Sequence, residues 1–256
     1  SSTSRGLGDV YKRQINMSTK KAKYENEAIS LMRSNDVAIL STLSKKQDEY
    51  PFGSFVTYCS GIDRSIYIYA SDIAEHTRNI KNNPKSCLTI FKINNEFDKQ
   101  NSPRLSIMGD LKKVSDSEVE YCSERFIKFL PDSKEYSKMH DFNFYKLDTT
   151  KVRWIGGFGQ IGWLKNDNWL KKDLDWLGKE KSMLKHMNEG HSDSISAALW
   201  SLKGIKDDKS KILAICIDGY YVQSNEDIYF IQFEDISLTS AEIKDSLVIH
   251  AKMFKH

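Results

Sequence analysis

Residues Ser65 to Pro84 read SIYIYASDIAEHTRNIKNNP, and the order of signals in this stretch decides the fold. Ser65 to Ala70 is rich in β-branched and aromatic residues, which predicts a strand. Ile73 to Asn82 predicts a helix, which must stop before Pro84 because proline cannot continue it. Ser86 to Lys92 returns to strand character at once. Upstream, Tyr24 to Arg33 reads as a short amphipathic helix and Val37 to Leu43 as a buried strand. Phe52 to Tyr58 is a further strand, joined to the quoted stretch by the turn Gly61 to Arg64. Downstream come a strand at Arg104 to Val114, a helix at Ser117 to Leu130 and a strand pair at Phe142 to Leu147 and Lys151 to Ile155. About six short strands in an antiparallel-friendly order suggest a closed barrel, which would remove exposed edges.

The pattern changes after Trp163. Asn166 to Gly178 is polar but carries Trp169, Leu170, Leu174, Trp176 and Leu177. Helices are expected at Lys179 to Asn188, Asp193 to Lys203 and Ser240 to Phe254, with strands at Lys211 to Ile217, Tyr220 to Gln223 and Asp227 to Phe233. The expected class is therefore α+β, with helices on a three-stranded meander following the barrel. The expected division is a leader over 1–16, a barrel domain over 17–165, a linker over 166–178 and an accessory domain over 179–256. The leader lacks apolar periodicity, and Asp9 to Gln14 reads as a translated library adapter, so Met17 is the expected start and the leader is expected to be disordered.

Composition narrows the functional classes. Among 256 residues, 38 basic and 35 acidic side chains leave a net charge of +3, with no concentrated basic stripe for nucleic acid. Cys59, Cys87, Cys122 and Cys216 are scattered, which argues against a disulfide framework and structural zinc. No apolar run is long enough to cross a bilayer, so a cytoplasmic location without membrane contact is expected.

No P-loop, HExxH, hydrolase elbow or GxGxxG is present. His76 and Arg78 lie in the first turns of the quoted helix, where free amides and a guanidinium suit a phosphate or carboxylate; a solvated helix face is the alternative. Arg104 opens a strand and could pair with an anionic group at a barrel mouth, or with a neighbouring strand. Gly157 and Gly159, in Gly156-Gly157-Phe158-Gly159, mark a tight bend or a place where a flat ligand meets the backbone. His186 and His191 are five residues apart across Gly190, a poor spacing for chelation on one helix, and also read as a helix-boundary cluster.

Tyr69 through Pro84, Pro103-Arg104-Leu105 and Gly157-Phe158-Gly159-Gln160 together resemble the split-barrel family related to pyridoxamine 5′-phosphate oxidase, an FMN-binding-type barrel. The nearest branch is similar to the HugZ-type haem-utilisation proteins. Met183 to Met253 resembles the small domain of unassigned function that accompanies this barrel, so the likeness covers about Glu25 to Met253. The resemblance implies a homodimer that binds haem at its interface and, if enzymatic, opens the porphyrin ring with O₂ and an external electron donor. It also implies Arg104 as a haem contact and Asp141 as an acid supporting a proximal histidine. That histidine would fall near Leu177 to Lys179, where this chain has none, and His186 is the nearest substitute as iron ligand. Two alternatives stay open: an FMN-binding oxidoreductase on the same barrel, and a non-catalytic haem-responsive regulator.

Overall fold

The computed structural model describes residues 20–96, 98–164, 169–170 and 174–254, so the expected leader and part of the 166–178 segment lie outside the described residues. Helix α1 covers residues 20–33 and buries Tyr24, Ala28, Ile29, Leu31 and Met32, the apolar stripe of an amphipathic helix. The first sheet contains β1 (Val37–Leu43), β2 (Pro51–Thr57), β3 (Cys59–Ser60), β4 (Ile66–Ser71), β5 (Lys85–Phe91), β6 (Arg104–Lys113), β7 (Phe142–Gly157) and β8 (Gln160–Leu164). Helix α2 (Glu75–Asn82) links β4 to β5, and α3 (Asp116–Phe129) links β6 to β7.

All pairings are antiparallel, in the order β2-β1-β5-β6-β7-β4-β3, with β8 added to β7. Hydrogen-bonded pairing ends at β2 and β3, so the expected closed barrel is a split one. The split lies on one side of β7: residues Phe142 to Leu147 pair with β4, whereas Val152 to Gly157 pair with β8. This corrects the expected strand pair at Phe142–Leu147 and Lys151–Ile155. Asp148-Thr149-Thr150 looks like a break but continues the strand as a bulge of β7, with Thr150 the extra residue between the Met108–Lys151 and Gly109–Thr149 pairs. A Cβ at Gly109 would lie 2.1 Å from the Asp148 carbonyl oxygen, so the close approach needs glycine.

The second sheet is β9 (Lys211–Cys216), β10 (Gly219–Ser224) and β11 (Asp227–Gln232), with α4 (Glu180–Gly190), α5 (Ser192–Lys203) and α6 (Ser240–Met253). Helix α6 starts at a Thr239/Glu242 capping box. Both faces of this sheet are covered, and they alternate as strand geometry requires. Ala214, Cys216, Tyr221 and Phe230 join the barrel core. Ile215, Ile217, Tyr220, Val222 and Ile231 pack with the helices. Trp169 is buried in the first of these cores and Trp176 in the second.

A buried ion cluster ties the layers together. Asp218 receives Arg33 Nη2 at 2.8 Å and Arg64 Nη2 at 2.7 Å, and Arg64 Nη1 also donates to Glu25 at 2.7 Å. Burial opposes ionisation of Asp218, but the two guanidinium groups win and hold its carboxyl below the usual carboxylate range.

Candidate functional site

The predicted site residues fall in three places. The first is the end of β7 that carries Gly157. Strand register sets Arg104 opposite Ile155, and Arg104 Nη1 donates to the carbonyls of Gln100 (3.1 Å) and Ser102 (3.2 Å). The β7–β8 turn is fastened to the same loop, since Phe158 N donates to Asn101 Oδ1 at 2.7 Å. Gly157 has φ +140°, and a Cβ there would lie 2.5 Å from Asn101 Oδ1. Gly159 also has positive φ, and Phe158 between them stands 69% exposed.

Beside this turn runs a groove of about 530 Å³, lined by Lys92, Pro103, Trp154, Gly156 and Lys203 among others. Lys92 follows β5 and Lys203 ends α5, so the groove lies between the barrel and the small unit. Desolvation in the groove, and then the charge of Lys92, push the Lys203 ammonium pKa down. Among the described residues, Lys92, Lys203 and Arg104 form no ion pair. Glu27 also lines the groove, but its carboxylate accepts from Trp154 Nε1 at 3.2 Å and lies 3.8 Å from Lys23. The groove therefore presents two ammonium groups, Lys92 and Lys203, beside the edge of the almost wholly buried Trp154, and such cationic donors suit an anionic ligand.

The second place is the other end of β7. Ser71 Oγ donates to the Asp141 carboxylate, and Asp72 N donates to Asp141 O at 2.8 Å. His76 is partly buried, and desolvation pushes its imidazole pKa down, which favours the neutral ring. Arg78 is exposed and lies 3.8 Å from Glu75, which also holds Lys46 at 3.3 Å. Glu75 occupies the first turn of α2, so this helix end already has its negative charge. That arrangement does not favour the phosphate expected beside His76 and Arg78.

Ser71 pairs with Phe142 and Arg104 with Ile155, at opposite ends of β7. At ~3.3 Å per residue, about 40 Å of strand separates them. Within one chain, then, Arg104 shares the Gln100–Ser102 loop with the Gly157–Gly159 turn, and Asp141 is held by Ser71 and Asp72 just ahead of the helix that carries His76 and Arg78, but the two groups do not meet.

The third place is His186, exposed on α4, in a cavity between α4 and α6 that contains none of the other predicted residues. His191 caps α5, whose far end, Lys203, reaches the groove beside Pro103. A helix of that length sets the His186–His191 pair about 18 Å from the groove. The structure thus does not bring His186 to Arg104. Among the described residues, no group of three or more His, Cys, Asp or Glu side chains could hold a metal ion. A larger cavity of about 630 Å³ is lined by Asp63, Glu118, Glu124 and Glu180, an unwelcoming surface for carboxylates. Asn101 and the Lys92–Lys203 pair were not anticipated. Their roles depend on loop contacts and on the approach of α5 to the first sheet, which leave no periodic signal in the sequence.

The family model of the CREG β-barrel matches residues 19–171, more than half of the chain. The chain belongs to the CREG β-barrel family. It is 23% identical over 203 residues to the chloroplastic non-canonical heme oxygenase HOZ of Arabidopsis thaliana, covering 77% of this chain and 62% of that relative. This CREG-family chain thus spans less than two thirds of that relative's length. Among solved structures, the Agrobacterium tumefaciens protein Atu2129, of unknown function, superposes with a TM-score of 0.71 at 20% identity, covering 90% of this chain and 94% of its own. A heme binding protein from Mycobacterium smegmatis gives 0.54 at 22% identity, covering 90% and 96%. Campylobacter jejuni ChuZ gives 0.50 at 26% identity, covering 57% and 61%. The resemblance to the HugZ-type split-barrel family and the α+β split-barrel class hold. No helix among the described residues is long and apolar enough to cross a membrane.

Proposed function

We propose that this CREG-family protein binds haem, with the carboxylates of the macrocycle held at the Arg104 end of β7. The observation that carries this reading is the groove lined by Lys92, Lys203, Pro103 and Gly156, with Arg104 next to Pro103 and the Gly157–Gly159 turn next to Gly156 along the chain. Two carboxylates on a flat apolar ring match that donor set. The heme-binding Mycobacterium smegmatis protein and the Arabidopsis heme oxygenase support the choice of haem over other flat anions. The chain fits the carboxylates but, among its described residues, offers no histidine beside Arg104 for the iron. No ring-opening step is therefore derived, and His186 is not assigned to the iron of this site.

A homodimer completes the proposal. A two-fold partner is the arrangement that can bring the His76–Asp141 end of one chain towards the Arg104 end of the other. FMN is the weaker occupant, because Glu75 sits where a phosphate would approach α2.

Titration with haemin is expected to give a saturable Soret band, on a species of twice the chain mass by light scattering. Arg104→Ala should weaken binding by about 1.5–3 kcal/mol, the loss of a charge-assisted hydrogen bond. His186→Ala should leave the spectrum unchanged. No Soret band, or flavin absorption in the protein as isolated, would remove haem from the reading. Loss of haem in air with ascorbate would separate an oxygenase from a binder.

A further inference from the structure

The cavity between α4 and α6 has a chemistry of its own. Its volume is about 360 Å³, at the small end of the ~300–1,000 Å³ typical of ligand pockets. Met183, Met187, Leu247, Val248 and Ala251 supply an apolar interior. They line it because α4 and α6 both turn apolar residues, Met187, Leu247 and Ala251 among them, into the core over β9–β11.

The ionisable side chains on the cavity are of one kind. His186, His191 and Lys244 are nitrogen bases, and no carboxylate lines the cavity. Its two hydroxyls are already engaged: Ser182 Oγ donates to Lys179 O at 2.8 Å, and Ser240 Oγ donates to Asp175 at 3.1 Å. Lys179 Nζ in turn donates to Ser240 Oγ at 2.9 Å, which adds a cation near the rim. Among the described residues, Lys244 forms no ion pair.

The two imidazoles converge for a structural reason. Helix α4 ends at Gly190, and His191 leaves the helix with φ −139° and ψ 27°. The break returns the His191 ring to 5.2 Å from His186, inclined at 70°. Spacing along a continuous helix would have kept the pair apart.

We propose that this cavity is a binding site for a medium-chain alkyl carboxylate, its tail on the two methionines and its head group facing Lys244, His186 and His191. An apolar interior lined by nitrogen donors and no carboxylate, with Lys179 and Asp175 both held on Ser240 at the rim, complements a molecule with one apolar and one anionic end. Methionine suits such an interior, since its flexible thioether accommodates tails of different shape. The site shares no residue with the Lys92–Lys203 groove.

The test uses the full chain with sodium decanoate, read by calorimetry and by the NMR signals of methyl-labelled methionine. One saturable site is expected, with the Met183 and Met187 methyl resonances shifting along the same isotherm. Lys244→Glu should weaken binding at least tenfold while the melting temperature stays within a few degrees, and Lys244→Arg should retain it. Decan-1-ol should bind at least tenfold more weakly than decanoate. Absence of saturable binding would overturn the assignment, as would an affinity indifferent to Lys244→Glu. So would equal binding of the alcohol, or saturation that leaves both methionine methyls unmoved.

Discussion

Asp218 balances two buried guanidinium groups, and removing it should be the most damaging single change in the interior. Arg33 and Arg64 converge on its two oxygens, and all three side chains are almost wholly buried. Asp218→Asn takes from Arg33 its carboxylate in the interior and leaves Arg64 with Glu25, a loss of about 3–5 kcal/mol for a broken buried pair. Urea unfolding at pH 7 would measure it, and a loss below 1 kcal/mol would mean that the cluster is easily hydrated. The pH dependence has a definite sign. The folded carboxyl pKa lies below its unfolded value of about 3.9, so its contribution is complete above that value and is lost as pH falls through the folded pKa. The gap between wild type and variant should therefore narrow in acid. None of this could be read from the sequence. Ile217-Asp218-Gly219 looks like an ordinary turn, and the partners of Asp218 lie 185 and 154 residues away.

Strands and helices were more legible than their joints. The runs around β1, β4, β5 and β6 announce themselves by β-branched and aromatic residues, and α2 by the proline behind it. Strand β7 was misread as two, and β8 was not anticipated, because both depend on glycine positions whose meaning comes from across the sheet. At Gly109 that meaning is testable. A methyl group there would meet the Asp148 carbonyl at 2.1 Å, and the bulge must move to admit it. Gly109→Ala should cost about 1–3 kcal/mol, as overpacked sites do. Gly53→Ala in β2 is the control, since its Cβ would meet nothing closer than Ile39 Cγ2 at 3.6 Å. It should be neutral or slightly stabilising in thermal melts, where Gly109→Ala lowers the midpoint. Equal effects from the two substitutions would show that the bulge is compliant.

At the scale of the whole molecule, the three-stranded sheet is a middle layer, covered on one face by the barrel and on the other by α4–α6. Its alternation was visible in the sequence as strands, but a sheet covered on both faces was not, because one buried face looks like the other. The arrangement makes the small unit part of the barrel's core. Ala214, Cys216, Tyr221 and Phe230 belong to the same buried cluster as Leu40, Tyr58 and Trp169, and Arg33 and Arg64 reach across to Asp218. Cutting the chain before residue 174 would expose that core face and leave both arginines without Asp218. The shortened barrel should therefore bind an apolar dye and aggregate, whereas the full chain should unfold in one transition, with tryptophan fluorescence and far-ultraviolet circular dichroism coinciding. Two separated transitions in the full chain, or a shortened barrel that stays monomeric with an undiminished melting temperature, would show that the interface adds little. The same layering bears on the haem groove, since Lys203 comes from the small unit and Lys92 from the barrel. Loosening the interface by Asp218→Asn should then weaken haemin binding severalfold without touching Arg104, and equal affinities in folded wild type and variant would place the haem contact wholly on the barrel.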